Sequence, residues 1–571
     1  MKKRTCASSI LVLLFISMLA ISWKFSVRGD SSSIYIRPDG SVDPPNTPIQ
    51  HVGDRYTFMS NISGFIFVQR DNIFIDGNSC WLQGNGVGYG FDLTSRSNVT
   101  ITNCTITSFW VGVHVYFSSD VFLLNNHVRS NLNDGLQIIV SNGSYMHDNY
   151  FTHNGGCAIW LGWSTENNVS GNFVTDNNAG VMITDSSAVM KNNSISGNSY
   201  NFGVDGGQLS HFIIDVDTSN TVNNKPIYYW VNKQDMEIPS DAGYVAVINS
   251  TNITVKNITL ANNYNGILSC FASNLTIQNV SLFYNYYGIV FFKSSNNNIT
   301  SCDTETGYCG ILLEGSSNNS ITRSRIVNNQ YGFKIVRSSD NQIYHNNFLN
   351  NVKQAYTDAE TISAWDDGYP NGGNHWSDYK GVDLNSGPYQ NITGSDEIGD
   401  TPYPINADNK DNYPLMEPWS PPEDKTAPTI ETPSYTPSGD VPLNQEVTVT
   451  VNVTDTESRV KNVTLSYRLG NITSWTSLPM SYNTTTGLYE TIIPDQLNAT
   501  SVSFKITAFD NAGNMATKDN AGKYYVYNVI PEQFTLIALL SLMITLTLII
   551  VYAKKKSVGT KSPSAPVRKC A

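Results

Sequence analysis

The stretch of sequence that decides the fold is residues 112–138, GVHVYFSSDVFLLNNHVRSNLNDGLQI. At both ends a glycine precedes an apolar–x–apolar triplet, Val113-His114-Val115 and Leu136-Gln137-Ile138. Alternate side chains of a strand point to opposite faces, so each triplet directs two side chains inward and one outward. The residues between the triplets are rich in Asn and Ser and carry a second apolar run. This pattern predicts one coil made of several short strands.

The same unit recurs along much of the chain. Successive triplets are 22 or 23 residues apart, except for one step of 40 residues between Gly203 and Gly243. The triplets start at Gly90, Gly112, Gly135, Ala158, Gly180, Gly203, Gly243, Gly266, Gly288, Gly310, Gly332 and Ala355. A fixed period near 22 predicts a solenoid, and strands this short exclude helical repeats. We therefore predict an all-β chain built on a parallel β-helix of about 12 coils, with residues 224–230 projecting as a loop.

Composition agrees with this architecture. Only 14% of residues are charged, against roughly 25% in typical soluble proteins, and Asn is abundant. Asn recurs at coil spacing in two series, Asn103, Asn126, Asn149, Asn172 and Asn131, Asn154, Asn177. We expect these residues to adopt left-handed corners and to stack their amides from coil to coil. An apolar content of 40% excludes intrinsic disorder, and a net charge of −12 disfavours nucleic-acid binding.

The chain ends predict export and anchoring. Residues 1–29 combine a basic start with an apolar run, as in a signal peptide or an uncleaved signal anchor. Residues 534–552 are uncharged and apolar, long enough for a transmembrane helix. Residues 553–571 form a basic tail that the positive-inside rule places in the cytoplasm. The sequence therefore predicts a single-pass membrane protein with most of its chain extracellular.

Between the rod and this segment lie a linker and a second domain. The β-helix with its capping loop is predicted to occupy residues 30–420, and residues 421–428 form a Pro-rich linker. Residues 429–528 alternate with period two over several runs separated by turns, which predicts a β-sandwich. This region resembles the Ig-like or fibronectin-like modules of surface proteins, and the simplest interpretation is a spacer.

Several segments resemble archaeal NosD-like β-helix surface proteins. The resemblance rests on residues 34–41, 225–230 with 241–245, and the ending of the rod at 373–379, 394–403 and 411–416. It implies a right-handed parallel β-helix. It also implies either copper binding, as in the periplasmic accessory protein that names the family, or the carbohydrate binding and sugar hydrolysis that share the repeat.

The outward residues of the early triplets form a candidate binding row. Carboxylates, amides and aromatic rings together suit sugars, which stack on rings and hydrogen-bond through hydroxyls. The alternative is an ordinary solvated sheet face. The candidate ligand-binding residues are Asp92, His114, Tyr116, Asp134, Gln137, Trp160, Trp163 and Asp205.

In later coils the same outward row becomes apolar. Its members are Leu268, Val290 and Leu312. Three stacked exposed aliphatic side chains would be unusual. We therefore expect that a loop, the second domain or another chain covers them.

Calcium is the metal that the sequence favours. Acidic and amide side chains crowd a loop-rich stretch after the repeats, and hard cations prefer such oxygens. The candidate ligands are Asp383, Asn385, Asp396, Glu397 and Asp400, and an acidic capping loop without metal is the alternative. Copper would require clustered His, Met or Cys, and the five His residues of the early coils occupy different corners.

The leading hypothesis is a membrane-anchored β-helix protein that binds glycans or other cell-surface components, without catalysis. One alternative is a polysaccharide hydrolase or lyase, which needs two carboxyl groups about 5–10 Å apart. The other is a copper-binding accessory protein of the NosD type.

Overall fold

The computed structural model describes residues 33–421, 424–531 and 534–557, without the side chains of 534–539, 556 and 557. The predicted export signal and residues 558–571 of the predicted tail lie outside this description. The chain divides into two compact units, and the boundary in the sequence lies between Ser420 and Pro421. We call the β-helical part of the first unit, residues 33–420, the rod.

Three sheets enclose the first half of the rod, which runs from strand Ser33–Ile36 to strand Thr221–Val222. They carry short strands that pair in parallel from coil to coil, because each coil places equivalent residues one above another. Sheet 1 contains Val42–Asp43, Ser33–Ile36, Phe65–Val68, Tyr89–Asp92, Val111–Tyr116, Leu136–Ile139, Cys157–Gly162, Ala179–Thr184 and Tyr200–Asp205. Sheet 2 contains Ile49–Val52, Arg55–Phe58, Ile73–Asp76, Ser97–Thr102, Ser119–Leu124, Tyr145–His147, Asn167–Ser170, Ala188–Lys191 and Asp215–Val216.

Sheet 3 runs through both halves. Its first-half strands are Ile62–Ser63, Trp81–Gln83, Thr105–Thr107, His127–Arg129, Tyr150–Thr152, Phe173–Thr175, Ser194–Ser196 and Thr221–Val222. It continues as Lys225–Val231, Tyr244–Ile248, Asn265–Cys270, Tyr287–Phe292, Cys309–Glu314, Tyr331–Val336 and Lys353–Thr357.

Two further sheets complete the second half. Sheet 4 contains Gln234–Glu237, Thr251–Lys256, Thr276–Gln278, Asn298–Thr300, Ser320–Thr322 and Gln342–Tyr344. Sheet 5 contains Thr259–Ala261, Ser281–Phe283, Asp303–Glu305, Arg325–Val327, Asn347–Leu349 and His375–Trp376.

The all-β solenoid is confirmed, with about 14 turns rather than the predicted 12. The additional turns are the first ones, which contain the strands Ser33–Ile36 and Phe65–Val68. These strands start 32 residues apart (65 minus 33), so the 22-residue period does not reveal them. Irregular first coils are usual in solenoids, because the terminal repeat has to cap the core.

The Asn ladders form, with one change of position. Asn126, Asn149 and Asn172 are buried, and each donates its side-chain amide to the next side chain at 3.0–3.1 Å. The second series from Asn131 to Asn177 is also confirmed. The prediction that Asn103 belongs to the first ladder is wrong. Its neighbour Cys104 has that place and donates its N–H to Asn126 Oδ1.

The predicted projecting loop is wrong, because Lys225–Val231 is a strand inside sheet 3. The two preceding residues, Asn223 and Asn224, both have positive φ, 50° and 63°. A two-residue turn of this kind is a type I′ hairpin, and it makes strand Lys225–Val231 antiparallel to Thr221–Val222. The direction of the strands in sheet 3 therefore reverses between the two halves of the rod.

At the same point the two faces of sheet 3 begin to pack against different hydrophobic cores. In strand Tyr244–Ile248, the side chains of Tyr244, Ala246 and Ile248 belong to the hydrophobic core of the first half. Val245 and Val247 belong to the core of the second half. Sheet 3 therefore separates two cores at the junction.

This exchange explains the apolar outward row. Leu268 and Val290 are buried in the first core, and Leu312 packs against it. The 3-10 helix Leu209–Phe212 lies on the same side, where the ring of Phe212 is 5.6 Å from that of Phe292. The prediction that something covers this row is confirmed, and the cover is the rod itself.

The rod ends in a loop-rich cap. Two short antiparallel pairs, Asn385–Ser386 with Ile392–Thr393 and Tyr403–Pro404 with Lys410–Asp411, support it. Buried Asp411 accepts hydrogen bonds from Asn374 N and Trp376 Nε1 at 2.7 and 2.9 Å. It terminates the ladder from Asn346 to Asn374, because a carboxylate accepts without having to donate further.

The second unit has its own hydrophobic core between β-sheets. One sheet contains Ser434–Thr436, Val447–Val451, Leu488–Ile493 and Ser481–Asn483, and a two-stranded pair contains Thr429–Ile430 and Val453–Thr454. The larger sheet contains Val441–Pro442, Tyr525–Ile530, Thr500–Asp510, Val460–Leu469, Thr476–Pro479 and Met515–Lys518.

A helix, Phe534–Ser557, follows these strands. Among the residues described in full, no helix has both the length and the apolar character needed to cross a membrane. The predicted transmembrane helix over residues 534–552 is therefore not confirmed.

Candidate functional site

The outward row of sheet 1 is present in the early coils. Register pairs Asp92 with His114, His114 with Gln137, and Gln137 with Trp160. The row then continues through Met182 to Gly203. These side chains share one face because every strand keeps the same inward–outward alternation.

Asp205 is not in this row. It pairs with Thr184, two residues further along the strand than predicted, and Gly203 takes its place. A side chain at Gly203 would collide with Tyr264, since a Cβ atom there would be 2.4 Å from the Cβ of Tyr264. The second half of the rod therefore closes the row at this point.

Three predicted residues form one hydrogen-bonded chain. His114 Nδ1 donates to Gln137 Oε1 at 3.1 Å, and Gln137 Nε2 donates to Asp134 Oδ2 at 2.6 Å. Asp134 Oδ1 accepts the backbone N–H of Cys157 at 2.6 Å. The ring of Tyr89 stacks on His114 with centroids 4.1 Å apart. This network joins adjacent coils in the same way as the Asn ladders.

The network is largely closed to solvent. His114 is 9% exposed, and Gln137 and Asp134 are each 5% exposed. Burial raises the pKa of Asp134 to about 6, against the opposing hydrogen bonds from Gln137 and Cys157. Burial also lowers the pKa of His114, although nearby Asp92 opposes that shift. These groups satisfy one another and present little surface to a ligand.

Of the remaining predicted residues, Tyr116 stacks on the ring of His114, and Asp92 of the preceding coil pairs with His114. Trp160 is half-buried and donates its Nε1–H to Thr184 Oγ1 at 3.4 Å. Tyr116 lies 5.8 Å from the His114 ring, and Trp163 is half-buried. Asp92 accepts from Thr94 in its own turn. Ligand binding by these eight residues stays a prediction.

Asp205 belongs to a polar corner at the junction of the two halves. Burial raises its pKa to about 6, and Asp185 and Glu314 add to the shift. Asp185 in turn lies 2.6 Å from His211 Nδ1, and Gly207 N donates to it. These contacts hold the segment with the 3-10 helix Leu209–Phe212, which lies on the side of the apolar row.

Sequence reasoning missed an aromatic row on the outer face of sheet 3. His127, Tyr150 and Phe173 pair in register, with ring centroids 4.8 and 5.8 Å apart. Tyr150 is 48% exposed and Phe173 40% exposed, and His127 is exposed as well. We call these three residues the aromatic strip. Their 23-residue spacing is a signal in the sequence, but the Gly–apolar–x–apolar triplets identify only the outward face of sheet 1.

The cap carboxylates accept hydrogen bonds from backbone and side-chain groups of their own loop. Asp383 accepts from Asp396 N, Glu397 N and Ser395 Oγ, while Asp400 accepts from Leu384 N and from Asn385 N and Nδ2. The predicted ligand set Asp383, Asn385, Asp396, Glu397 and Asp400 is thus arranged as a hydrogen-bonded loop. Calcium binding there stays a prediction.

The described residues do not fit a copper site. Within them, the single cluster of three side chains able to hold a metal ion consists of carboxylates, Asp424, Asp455 and Asp510, in the second unit. Copper prefers imidazole and sulfur ligands, and His114 Nδ1 is already bonded to Gln137.

Three family models match parts of the chain. Residues 50–200 match the right-handed β-helix region, and residues 240–381 match the periplasmic copper-binding protein NosD. Residues 422–546 match a domain of unknown function, DUF7743. No curated protein matches the chain significantly.

Solved structures resemble the chain only at low similarity. The Agl-KA catalytic domain is 14% identical, covering 55% of this chain and 56% of its own, with a TM-score of 0.23. A mutant of the periplasmic alginate epimerase AlgG is 13% identical over 58% and 71%, also at 0.23. The tailspike gp49 of Acinetobacter baumannii bacteriophage Fri1, a capsular polysaccharide depolymerase, is 8% identical over 81% and 82%, at 0.22. The chain thus spans about half of the Agl-KA domain.

The family matches divide the rod at its junction, with the general β-helix model before it and the NosD model after it. The chain contains a parallel β-helix in which residues 50–200 match the right-handed β-helix model and residues 240–381 match the NosD model.

Proposed function

We propose that the rod binds extended polysaccharide chains along the aromatic strip. The observation that carries the proposal is the row of exposed rings at His127, Tyr150 and Phe173. Adjacent exposed aromatic side chains mark interaction surfaces, and their faces suit sugar rings, which are apolar on one side.

The neighbouring row supplies hydrogen-bonding groups. Arg129 pairs with Thr152, and Thr152 with Thr175, two residues along each strand from the aromatic strip. Arg129 is exposed, and both threonines are partly exposed. A sugar stacked on the rings would therefore meet donors and acceptors for its hydroxyls.

The surface suits a polymer better than a small molecule. The coils repeat every ~4.8 Å along the rod, so equivalent contacts recur along a straight line. Small ligands are usually enclosed in deep pockets. Two hollows, of about 370 and 380 Å³, are open to solvent and lined by other residues, including Phe74 and Asn319.

A glycan array with the purified protein, followed by affinity measurements on any hit, tests the proposal. We expect Tyr150→Ala to weaken binding about tenfold, equivalent to about 1.4 kcal/mol. Tyr389→Ala is the matched control, because this tyrosine is 83% exposed but lies in the cap. Equal affinity of Tyr150→Ala and wild type would refute the role of the strip. If the protein instead bound a surface protein selectively, the proposal that its ligand is a glycan would be wrong.

Polysaccharide cleavage is the second candidate. Asp134, with its pKa raised to about 6 by burial, has the property of a general acid. However, it is 5% exposed, and a glycosidase needs a second carboxyl group facing the same bond. Assaying the bound glycans for new reducing or unsaturated ends decides this. Product that disappears in Asp134→Asn would establish cleavage.

Location outside the cell forms part of the proposal. The predicted export signal in residues 1–29 would deliver the rod to a compartment that contains polysaccharides.

A further inference from the structure

Three aspartates of the second unit converge from distant parts of the sequence. Asp424 precedes the first strand of the unit, Asp455 follows the strand Val453–Thr454, and Asp510 ends the strand Thr500–Asp510. One carboxylate oxygen from each lies within 4.8 Å of the others. Asp510 is fully buried and Asp455 is partly exposed.

Hydrogen bonds hold these three side chains in place, but they do not involve every carboxylate oxygen of the cluster. Asp424 Oδ1 accepts Thr426 N at 2.8 Å, and Asp455 Oδ1 accepts Ser458 N and Arg459 N at 2.8 and 2.7 Å. Asp510 accepts Asn514 N and Nδ2 at 2.8 and 2.9 Å. Asn514 Nδ2 also donates to the carbonyl oxygen of Asp424 at 2.7 Å, which joins two of the segments.

One oxygen of the cluster is buried without a partner. Asp424 Oδ2 is inaccessible to solvent and accepts no hydrogen bond from the residues that the structure describes. A buried carboxylate oxygen without a donor is costly, and more so beside two other carboxylates. A cation among them would satisfy the oxygen and remove the repulsion.

The cap provides an internal comparison. Both oxygens of Asp383 accept hydrogen bonds from the loop, and so do both oxygens of Asp400. Those carboxylates are satisfied by N–H and O–H donors without a metal. The cluster in the second unit differs because one of its buried oxygens has no donor among the described residues.

We propose that Asp424, Asp455 and Asp510 bind one calcium ion. Calcium lies 2.3–2.6 Å from its oxygen ligands, so two ligands on opposite sides are about 4.6–5.2 Å apart, as the cluster allows. Magnesium requires about 2.0–2.1 Å and octahedral geometry. The bound ion would fix the segment that contains Asp424 against two loops of the unit.

Titration of the chelator-treated full-length protein with calcium chloride, followed by calorimetry, tests the site. We expect Asp510→Asn and Asp455→Asn each to remove one binding event or weaken it at least tenfold. Asp495→Asn, an exposed aspartate of the same unit, should leave that event unchanged. Asp383→Asn should also leave it unchanged, which separates this site from any calcium bound by the cap.

Circular dichroism in chelator checks that each variant folds. If Asp510→Asn does not fold, partly exposed Asp455→Asn decides the matter. Absence of calcium binding by the wild type would overturn the proposal, as would wild-type binding by both variants. Displacement of calcium by an equal concentration of magnesium would overturn the assignment of the ion.

Discussion

At the scale of single residues, neighbouring asparagines have different roles in one coil corner. Asn125 is exposed and has a φ of 54°, so it supplies the left-handed turn. Asn126 is fully buried and bonds to the coils on both sides. The coil spacing predicts both a left-handed turn and an amide ladder. It does not separate the two positions, because both recur once per coil. Cys104 could not be recognised as a ladder member because its own side chain does not continue the amide chain.

The two asparagines should therefore respond differently to substitution. We expect Asn126→Ala to lower the free energy of unfolding by about 3 kcal/mol, because Cys104 N and Ile101 O lose buried partners at 3.1 and 2.9 Å. Asn125→Ala should cost only about 1 kcal/mol for the left-handed turn. Denaturant unfolding measures both, with Asn125→Gly as the near-neutral control. Similar losses for both Ala variants would contradict this division of roles.

Asp411 should make the stability of the rod depend on pH. Burial raises its pKa to about 7, although Asn374, Trp376 and Tyr413 donate hydrogen bonds that lower it. The unfolded carboxyl has a pKa of about 3.9, so the folded protein binds the proton more tightly. Its stabilising contribution is complete below about pH 4 and is lost as pH rises to 7, by up to about 4 kcal/mol.

Denaturant unfolding between pH 4 and 8 measures this dependence. Asp134 and Asp205 have their pKa raised in the same direction, so part of the slope should persist in Asp411→Asn. We expect that variant to have a shallower slope than wild type. An unchanged slope would show that Asp411 does not titrate in this range.

At the scale of elements, the hairpin at Asn223 and Asn224 determines the junction. It reverses the strand direction in sheet 3, and the faces exchange there. The Gly–apolar–x–apolar triplets predicted the coils on both sides but not this exchange, because the triplets look alike in both halves. The apolar outward residues Leu268 and Val290 were the sequence signal that the later face is covered. The Asn-Asn pair before Lys225 is the sequence signal for the turn itself, because asparagine adopts the positive φ that a type I′ turn requires.

Disrupting the hairpin should expose the covered row. Asn224 has a φ of 63°, which a β-branched residue adopts at considerable cost. We expect Asn224→Val to lower the free energy of unfolding by about 2 kcal/mol and to increase binding of the dye ANS. Asn224→Gly keeps the turn and should resemble wild type in both measurements. Dye binding that does not rise in a destabilised Asn224→Val would mean that the row stays covered without the hairpin.

At the scale of the whole molecule, the candidate site was harder to predict than the fold. Periodicity fixes which residues of a coil point outward, and it placed His114, Gln137 and Trp160 correctly in one row. It does not determine which outward faces stay exposed, since that depends on contacts between the side chains of neighbouring coils, such as the ring of Tyr89 on His114. The predicted row is therefore largely buried, whereas the exposed aromatic rings are on sheet 3.

The two cores of the rod should also unfold separately. In a solenoid each coil contacts mainly its neighbours, so stability is local. Ile321 lies in the second core and Ile101 in the first, and both are fully buried. Removing such a side chain costs about 2–5 kcal/mol. Hydrogen exchange followed by mass spectrometry should show faster exchange over residues 251–376 in Ile321→Ala, with residues 33–200 unchanged. Ile101→Ala is the matched variant and should show the reverse. Acceleration across both halves in either variant would mean that sheet 3, shared at the junction, makes them one cooperative unit.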